Sequence, residues 1–247
     1  MGKDVDKSSG AKPLEPSSDA EIDKFLQNVR SRRPSGPNAA SGRLIFAMDA
    51  TASRQPSWDR ACTIQGDMFS ETATIGDLAV QLVFYRGYRE CKASKWTTTA
   101  LDLARIMGSV SCMGGQTQIE RVLAHTLKEH KKAKVDALIF VGDCFEENID
   151  TVCHEAGQLG VNGVPAFMFQ EGFDPVGLSA FKEIARLTGG AHCPFDSGSA
   201  KQLRDLLAAV AVYATGGRKA MLDYGKSKGG VVQQLTHQVG KQRGGSR

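Results

Sequence analysis

The sequence predicts an α/β fold: a doubly wound, mostly parallel central sheet with helices on both faces and one antiparallel edge strand. Three observations carry this reading. Short, near-continuous apolar runs recur along the chain, the pattern of strands buried on both faces. Segments with apolar residues at helical spacing lie between them. Polar, oxygen-bearing residues follow directly on two of the runs, where an open sheet of this kind binds its ligands.

The first strand is Leu44 to Met48, and the second is Leu78 to Tyr85. Arg86-Gly87 reads as a turn into a short antiparallel third strand, Tyr88 to Cys91. Ala137 to Val141 and Val164 to Phe169 are the fourth and fifth strands, and Ala191 to Phe195 is a short sixth. Helical patterns cover Thr99 to Met107, Gln118 to Lys131, Ile149 to Leu159, Leu178 to Leu187 and Ser199 to Tyr213. The longest apolar runs are about five or six residues, far below the roughly 20 of a membrane span.

These elements place one domain over residues 43–214, flanked by tails. Residues 1–42 are rich in Ser, Pro, Asp and Lys and read as flexible. Within them Ser18 and Glu21 form a capping box, and Ile22, Phe25, Leu26 and Val29 follow at helical spacing, which predicts a short amphipathic helix near 19–30. Residues 215–247 carry seven basic residues and one acid, Asp223, and read as a basic flexible tail. The body carries 17 basic and 20 acidic residues, so the basic balance of the chain belongs to its end. The N-terminus has no apolar core for a leader peptide, and the six cysteines show no Cys-x-x-Cys spacing. A cytoplasmic protein with reduced thiols is expected, with no nucleic-acid and no membrane partner.

The chemistry gathers at the expected carboxyl edge of the sheet. Strand one runs into Asp49-Ala50-Thr51-Ala52-Ser53, and strand four runs into Gly142-Asp143. Gly114-Gly115-Gln116-Thr117 precedes the helix that leads back into strand four. Two carboxylates and three hydroxyls thus meet at one edge, all of them hard oxygen donors. Such a set suits Mg²⁺, Mn²⁺ or Ca²⁺ and is wrong for zinc, which prefers Cys and His. With two carboxylates only, an ion there keeps an open position that attracts an acidic group.

Asp49, Thr51 and Ser53 in Asp-x-Thr-x-Ser, the Gly-Gly-x-Thr loop at 114–117 and the strand-end Asp143 resemble the metal-ion-dependent adhesion site (MIDAS) of von Willebrand factor type A domains, here of the intracellular bacterial type. Thr51 stands where the family usually has Ser, which keeps the hydroxyl, and Gly142-Asp143-Cys144 stands where many relatives have Asp-Gly. The resemblance covers roughly 43–214. It implies that Thr51, Ser53 and Thr117 contact a metal directly in some states, with Asp49 and Asp143 acting directly or through water. It implies a non-enzymatic adaptor or assembly factor that grips an acidic residue of a partner protein, with AAA+ ATPase complexes as one partner class. The alternatives are a metal-dependent hydrolase using the same site and a scaffold whose metal site is vestigial. A phosphatase of the Asp-x-Asp-x-Thr type is excluded because Thr51 stands where the second carboxylate is required, and neither Gly-x-x-x-x-Gly-Lys-Ser/Thr nor Gly-x-Gly-x-x-Gly occurs. Trp58 either packs beneath the Asp49 loop or joins its rim.

Overall fold

Strand β1 (Gly42–Asp49) is the hub of a six-stranded sheet in a computed structural model that describes residues 42–196 and 199–239. The expected N-terminal tail, with its amphipathic segment near 19–30, lies outside the described residues. β1 pairs in parallel with β2 (Leu78–Arg86) on one side and with β4 (Ala137–Gly142) on the other. β5 (Ala166–Glu171) and β6 (Ala191–Phe195) continue the parallel run, and β3 (Glu90–Ala93) adds to β2 antiparallel. The order is β3-β2-β1-β4-β5-β6. This is the expected doubly wound sheet with its one antiparallel edge strand.

Side chains alternate across each strand, so both faces are apolar and each needs a cover. Ile45, Ala47, Val83, Leu138, Phe140 and Met168 meet α4 (Ile119–Lys132), α5 (Ile149–Val161) and α6 (Pro175–Thr188). Leu44, Phe46, Met48, Leu82, Ile139 and Phe167 meet the opposite layer. That layer contains α1 (Gln55–Ile64), α2 (Asp67–Thr72) and α3 (Ala100–Gly108), together with α7 (Ala200–Lys228) and α8 (Gly230–Gln238). Trp58 of α1 is buried, donates Nε1–H to the Met107 carbonyl at 3.1 Å and meets Phe84 edge-on. It packs beneath the loop and takes no part in a rim.

The C-terminal boundary differs from the expectation. Residues 215–239 are not a flexible tail: they complete α7 beyond a break at Gly217 (φ 71°) and form α8. Met221, Val232, Leu235 and Val239 are buried in the main core. Glycines depress helix propensity across this stretch, but burial of an apolar stripe outweighs propensity. Gly225 is part of the fit, since a Cβ there would come within 2.8 Å of Thr236 Cγ2.

The same segment finishes the sheet edge. The Gln238 side chain accepts from the His192 amide at 3.0 Å and donates to the His192 carbonyl at 2.8 Å, standing in for a strand beyond β6. The His192 ring bonds Gln170 at 3.1 Å, and burial, with a contribution from the Lys182 charge, pushes its pKa down to about 4.

Leu235→Ala is expected to cost about 2–5 kcal/mol, the range for a buried Leu truncation, read as a fall in the denaturation midpoint; a change below about 0.5 kcal/mol, the size of an ordinary surface substitution, would mean that α8 does not pack on the body. His192 stays neutral in the fold but takes up a proton in the unfolded chain below its ordinary value near 6.5. Its contribution is therefore complete above about pH 6.5 and is lost as pH falls towards 4. The melting temperature of His192→Gln is expected to fall less steeply than wild type across that window.

Candidate metal centre

The strand order reverses at β1, whose neighbours β2 and β4 carry connections to opposite faces, so a crevice opens at the carboxyl ends of β1 and β4. Asp49 ends β1 and Asp143 follows β4. Met48 stands in register with Val141, which puts the two carboxylates within one residue of the same level on adjacent strands.

Asp49 is 1% exposed. Its Oδ1 accepts from the Thr51 amide at 2.7 Å, which folds the chain sharply out of the strand. Its Oδ2 is buried without a hydrogen-bond partner, and so is Asp143 Oδ1. The Thr51 and Ser53 hydroxyl oxygens lie 3.5 Å apart on this turn. Burial raises the Asp49 carboxyl above its ordinary value; the Thr51 hydrogen bonds oppose the rise, Asp143 adds to it and Arg54 opposes it.

The Gly-Gly-x-Thr loop is pinned at both ends. The Met113 amide donates to the Ala50 carbonyl at 2.9 Å. Gly115 lies so close to the β2–β3 turn that a Cβ would sit 2.4 Å from the Gly87 backbone. At the other end Thr117 Oγ1 accepts from the Glu146 amide at 3.0 Å, and the Thr117 amide donates to the Glu146 carboxylate at 3.3 Å. Glu147 then caps α4 by accepting from the Ile119 and Glu120 amides at 2.5 and 3.0 Å. Thr117 is thus bound to the segment three residues beyond Asp143. Among the described residues no hydrogen bond joins it to Asp49, Thr51, Ser53 or Asp143.

The sequence reading missed the basic half of the site. A 3-10 turn over Ala52–Arg54 swings Arg54 inward, where it is 3% exposed. Its Nη1 lies 3.6 Å from Asp143 Oδ2, and its Nη2 pairs closely with Glu171 Oε2. That second contact is coulombic, since Nη2 has no aligned hydrogen bond. Ser57 Oγ donates to Glu171 Oε2, and Arg60 Nη2 stands 3.7 Å from Glu171 Oε1. An arginine after a hydroxyl-rich loop reads as solvated, and only the turn direction reveals otherwise. Tyr85 also belongs here: its hydroxyl is buried without an aligned partner, and burial, with the charges of Asp49 and Glu147, holds it protonated.

The residues fit a hard divalent cation. Two buried carboxylate oxygens lack a donor, and two hydroxyls stand on the adjoining turn. Among the described residues no three His, Cys, Asp or Glu side chains converge on one point, so an ion here must also use hydroxyls or water. Burial, with Asp143 beside it, pushes Cys144 up to about 12. Trp96, just after β3, serves the fold: it donates to Glu129 at 3.0 Å and lies under Arg43 at 4.0 Å.

With this geometry the chain has a von Willebrand factor type A fold. No protein-family model and no curated protein matches it, but solved structures do. Proximal thread matrix protein 1 from the mussel byssus superposes with a TM-score of 0.55 at 18% identity, covering 70% of this chain and 48% of that one. This chain therefore spans about half the length of the mussel protein. A structure of the same mussel protein with a zinc-occupied MIDAS motif gives 0.53 at 15% identity, covering 80% and 53%. The SpRpn10 VWA domain gives 0.53 at 12% identity, covering 71% and 97%. The zinc held in the mussel protein's MIDAS motif runs against the expectation that a motif of this name is wrong for zinc.

Thr117→Val is expected to cost about 1 kcal/mol by leaving the Glu146 amide without its acceptor, while Thr117→Ser stays near wild type. A loss in Thr117→Ser with Thr117→Val near wild type, measured by chemical denaturation, would show that the methyl group and not the hydroxyl holds the loop.

Proposed function

We propose that the chain is a metal-dependent protein-binding module in which a divalent ion, Mg²⁺ or Mn²⁺, sits in the β1–β4 crevice and grips a carboxylate of a partner. The observation that carries this reading is the pair of buried, unpartnered oxygens, Asp49 Oδ2 and Asp143 Oδ1, beside the Thr51 and Ser53 hydroxyls. Unpaired buried acceptors are costly, and a cation satisfies both. Asp49, Thr51, Ser53, Thr117 and Asp143 would hold it, directly or through water, and the ion would supply an open coordination position for an acidic ligand.

The surroundings favour a protein as the source of that ligand. Tyr88, Met113, Ile149, Phe173 and Val176 are exposed large apolar residues, and all lie on turns, loops or helix starts at the carboxyl edge of the sheet. Away from that edge, among the described residues, only Leu101 and Val161 are of this kind. An apolar rim around a polar centre is the anatomy of an interaction surface. The zinc-occupied motif of the mussel protein supports metal binding at this place in the fold. The partner class to screen first is the AAA+ ATPase assembly suggested by the sequence resemblance.

We read the module as non-enzymatic. A hydrolase needs a free general base, and the Glu146 carboxylate is engaged by the Thr117 amide. Gly225-Lys226-Ser227-Lys228-Gly229 has the spacing of a serine-hydrolase elbow. It lies at the end of α7, where no strand leads into it, and Ser227 Oγ donates to the Tyr224 carbonyl at 2.8 Å.

Titration of the EDTA-stripped full chain with Mg²⁺ or Mn²⁺ is expected to give saturable heat and a rise in melting temperature. Asp49→Ala should abolish both while the circular dichroism of the fold persists, and EDTA should release a captured partner from wild type. Absence of heat with either ion would leave a scaffold with a vestigial site. Unfolding of Asp49→Ala would reduce Asp49 to a structural cap.

A further inference from the structure

The metal reading leaves one charge unexplained. Arg54 is buried at the floor of the site, cannot shed its proton, and lies 3.6 Å from a carboxylate that the ion would use. A solvated arginine would be screened, but this one is not. We propose that Arg54 is a resident counter-cation that competes with the metal for Asp143, and that Glu171 sets the outcome by drawing the guanidinium away. The proposal rests on the metal-dependent reading and names the residues that regulate it.

Three observations support it. First, the carboxylates of Asp49, Asp143 and Glu171 stand around Arg54, Arg60 faces Glu171 alone, and Glu146 adds a further acid, so negative charge is left over for an incoming ion. Second, the guanidinium is shared unequally. Its Nη2 is in close contact with Glu171, whereas Nη1 reaches Asp143 only at a distance beyond a hydrogen bond. Third, Glu171 is itself positioned, by Ser57 Oγ and by Arg60, which also donates to Ser57 Oγ at 3.3 Å. Without metal, Arg54 partly offsets the Asp143 charge from the Oδ2 side; with metal, Asp143 Oδ1 holds the ion while Arg54 rests chiefly on Glu171. An arriving divalent ion is repelled by Arg54, so occupancy responds to ion concentration instead of being permanent.

Two substitutions of residues that touch no ion in this scheme should then act with opposite signs. In the full chain, titrated with Mn²⁺ alone and followed by the electron paramagnetic resonance of the free ion, Arg54→Gln is expected to tighten binding at least tenfold. Arg54→Lys keeps a basic group there and should tighten binding less than Arg54→Gln. Glu171→Gln frees the guanidinium towards Asp143 and should weaken binding at least tenfold. Arg54 as a merely structural residue would make Arg54→Gln weaken binding or leave it unchanged, and either result overturns the proposal, as does unaltered binding in Glu171→Gln. If wild type binds Mn²⁺ and Arg54→Gln binds it no tighter, only this inference falls. If neither wild type nor any variant binds, the metal reading falls with it.

Discussion

Placing Asp49 out of water at the end of the central strand is the constraint around which the site is arranged. A carboxylate in that position is penalised by desolvation and by the neighbouring Asp143. Something must compensate it, and the chain supplies several partial answers: the Thr51 amide, the two hydroxyls of the same turn, and the inward arginine. None of them reaches Asp49 Oδ2. The buried oxygen left over links the fold to the proposed chemistry, since it is expensive to the apoprotein and useful only with a cation beside it.

The sheet that presents this site is braced at a distance from it. β1 is hydrogen-bonded on both sides and buried throughout, so its last residue is held by the whole sheet and not by a mobile loop. The far edge is closed by a side chain: Gln238 reaches back from α8 to complete the hydrogen bonds of β6 at His192. Gln170, one residue before the end of β5, accepts from the His192 ring through Oε1 and donates Nε2–H to the Asp174 carbonyl at 2.8 Å. That carbonyl belongs to the cap of α6, next to the exposed Phe173 and Val176. The C-terminal helix and one flank of the apolar rim thus share a chain of hydrogen bonds.

The carboxyl edge combines ordering and exposure. The Gly-Gly-x-Thr loop is tied down by Ala50 and by Glu146, and its glycine at 115 exists for close approach to Gly87. Apolar side chains on adjacent turns nevertheless remain in water. A surface that spends backbone hydrogen bonds on rigidity and leaves large apolar groups uncovered would need little further ordering to take the partner proposed above.

The sequence by itself determined the strands, their order of appearance and the residues that would face one edge, because a two-sided parallel sheet writes its burial into continuous apolar runs and its ligand residues into the positions just after them. Asp49, Thr51, Ser53 and Asp143 were legible in that way as candidates, and Thr117 only as the end of the Gly-Gly-x-Thr loop. The tertiary structure alone decided three things. It turned residues 215–239 from an apparent tail into two helical segments, since glycines that look like linker locally become contact points when Thr236 packs against Gly225. It tied Thr117 to Glu146, a hydrogen bond between segments 29 residues apart that no local pattern encodes. And it brought Arg54 beneath the carboxylates, because the direction of one short turn, and not the identity of the residue, decides whether an arginine meets water or a buried charge.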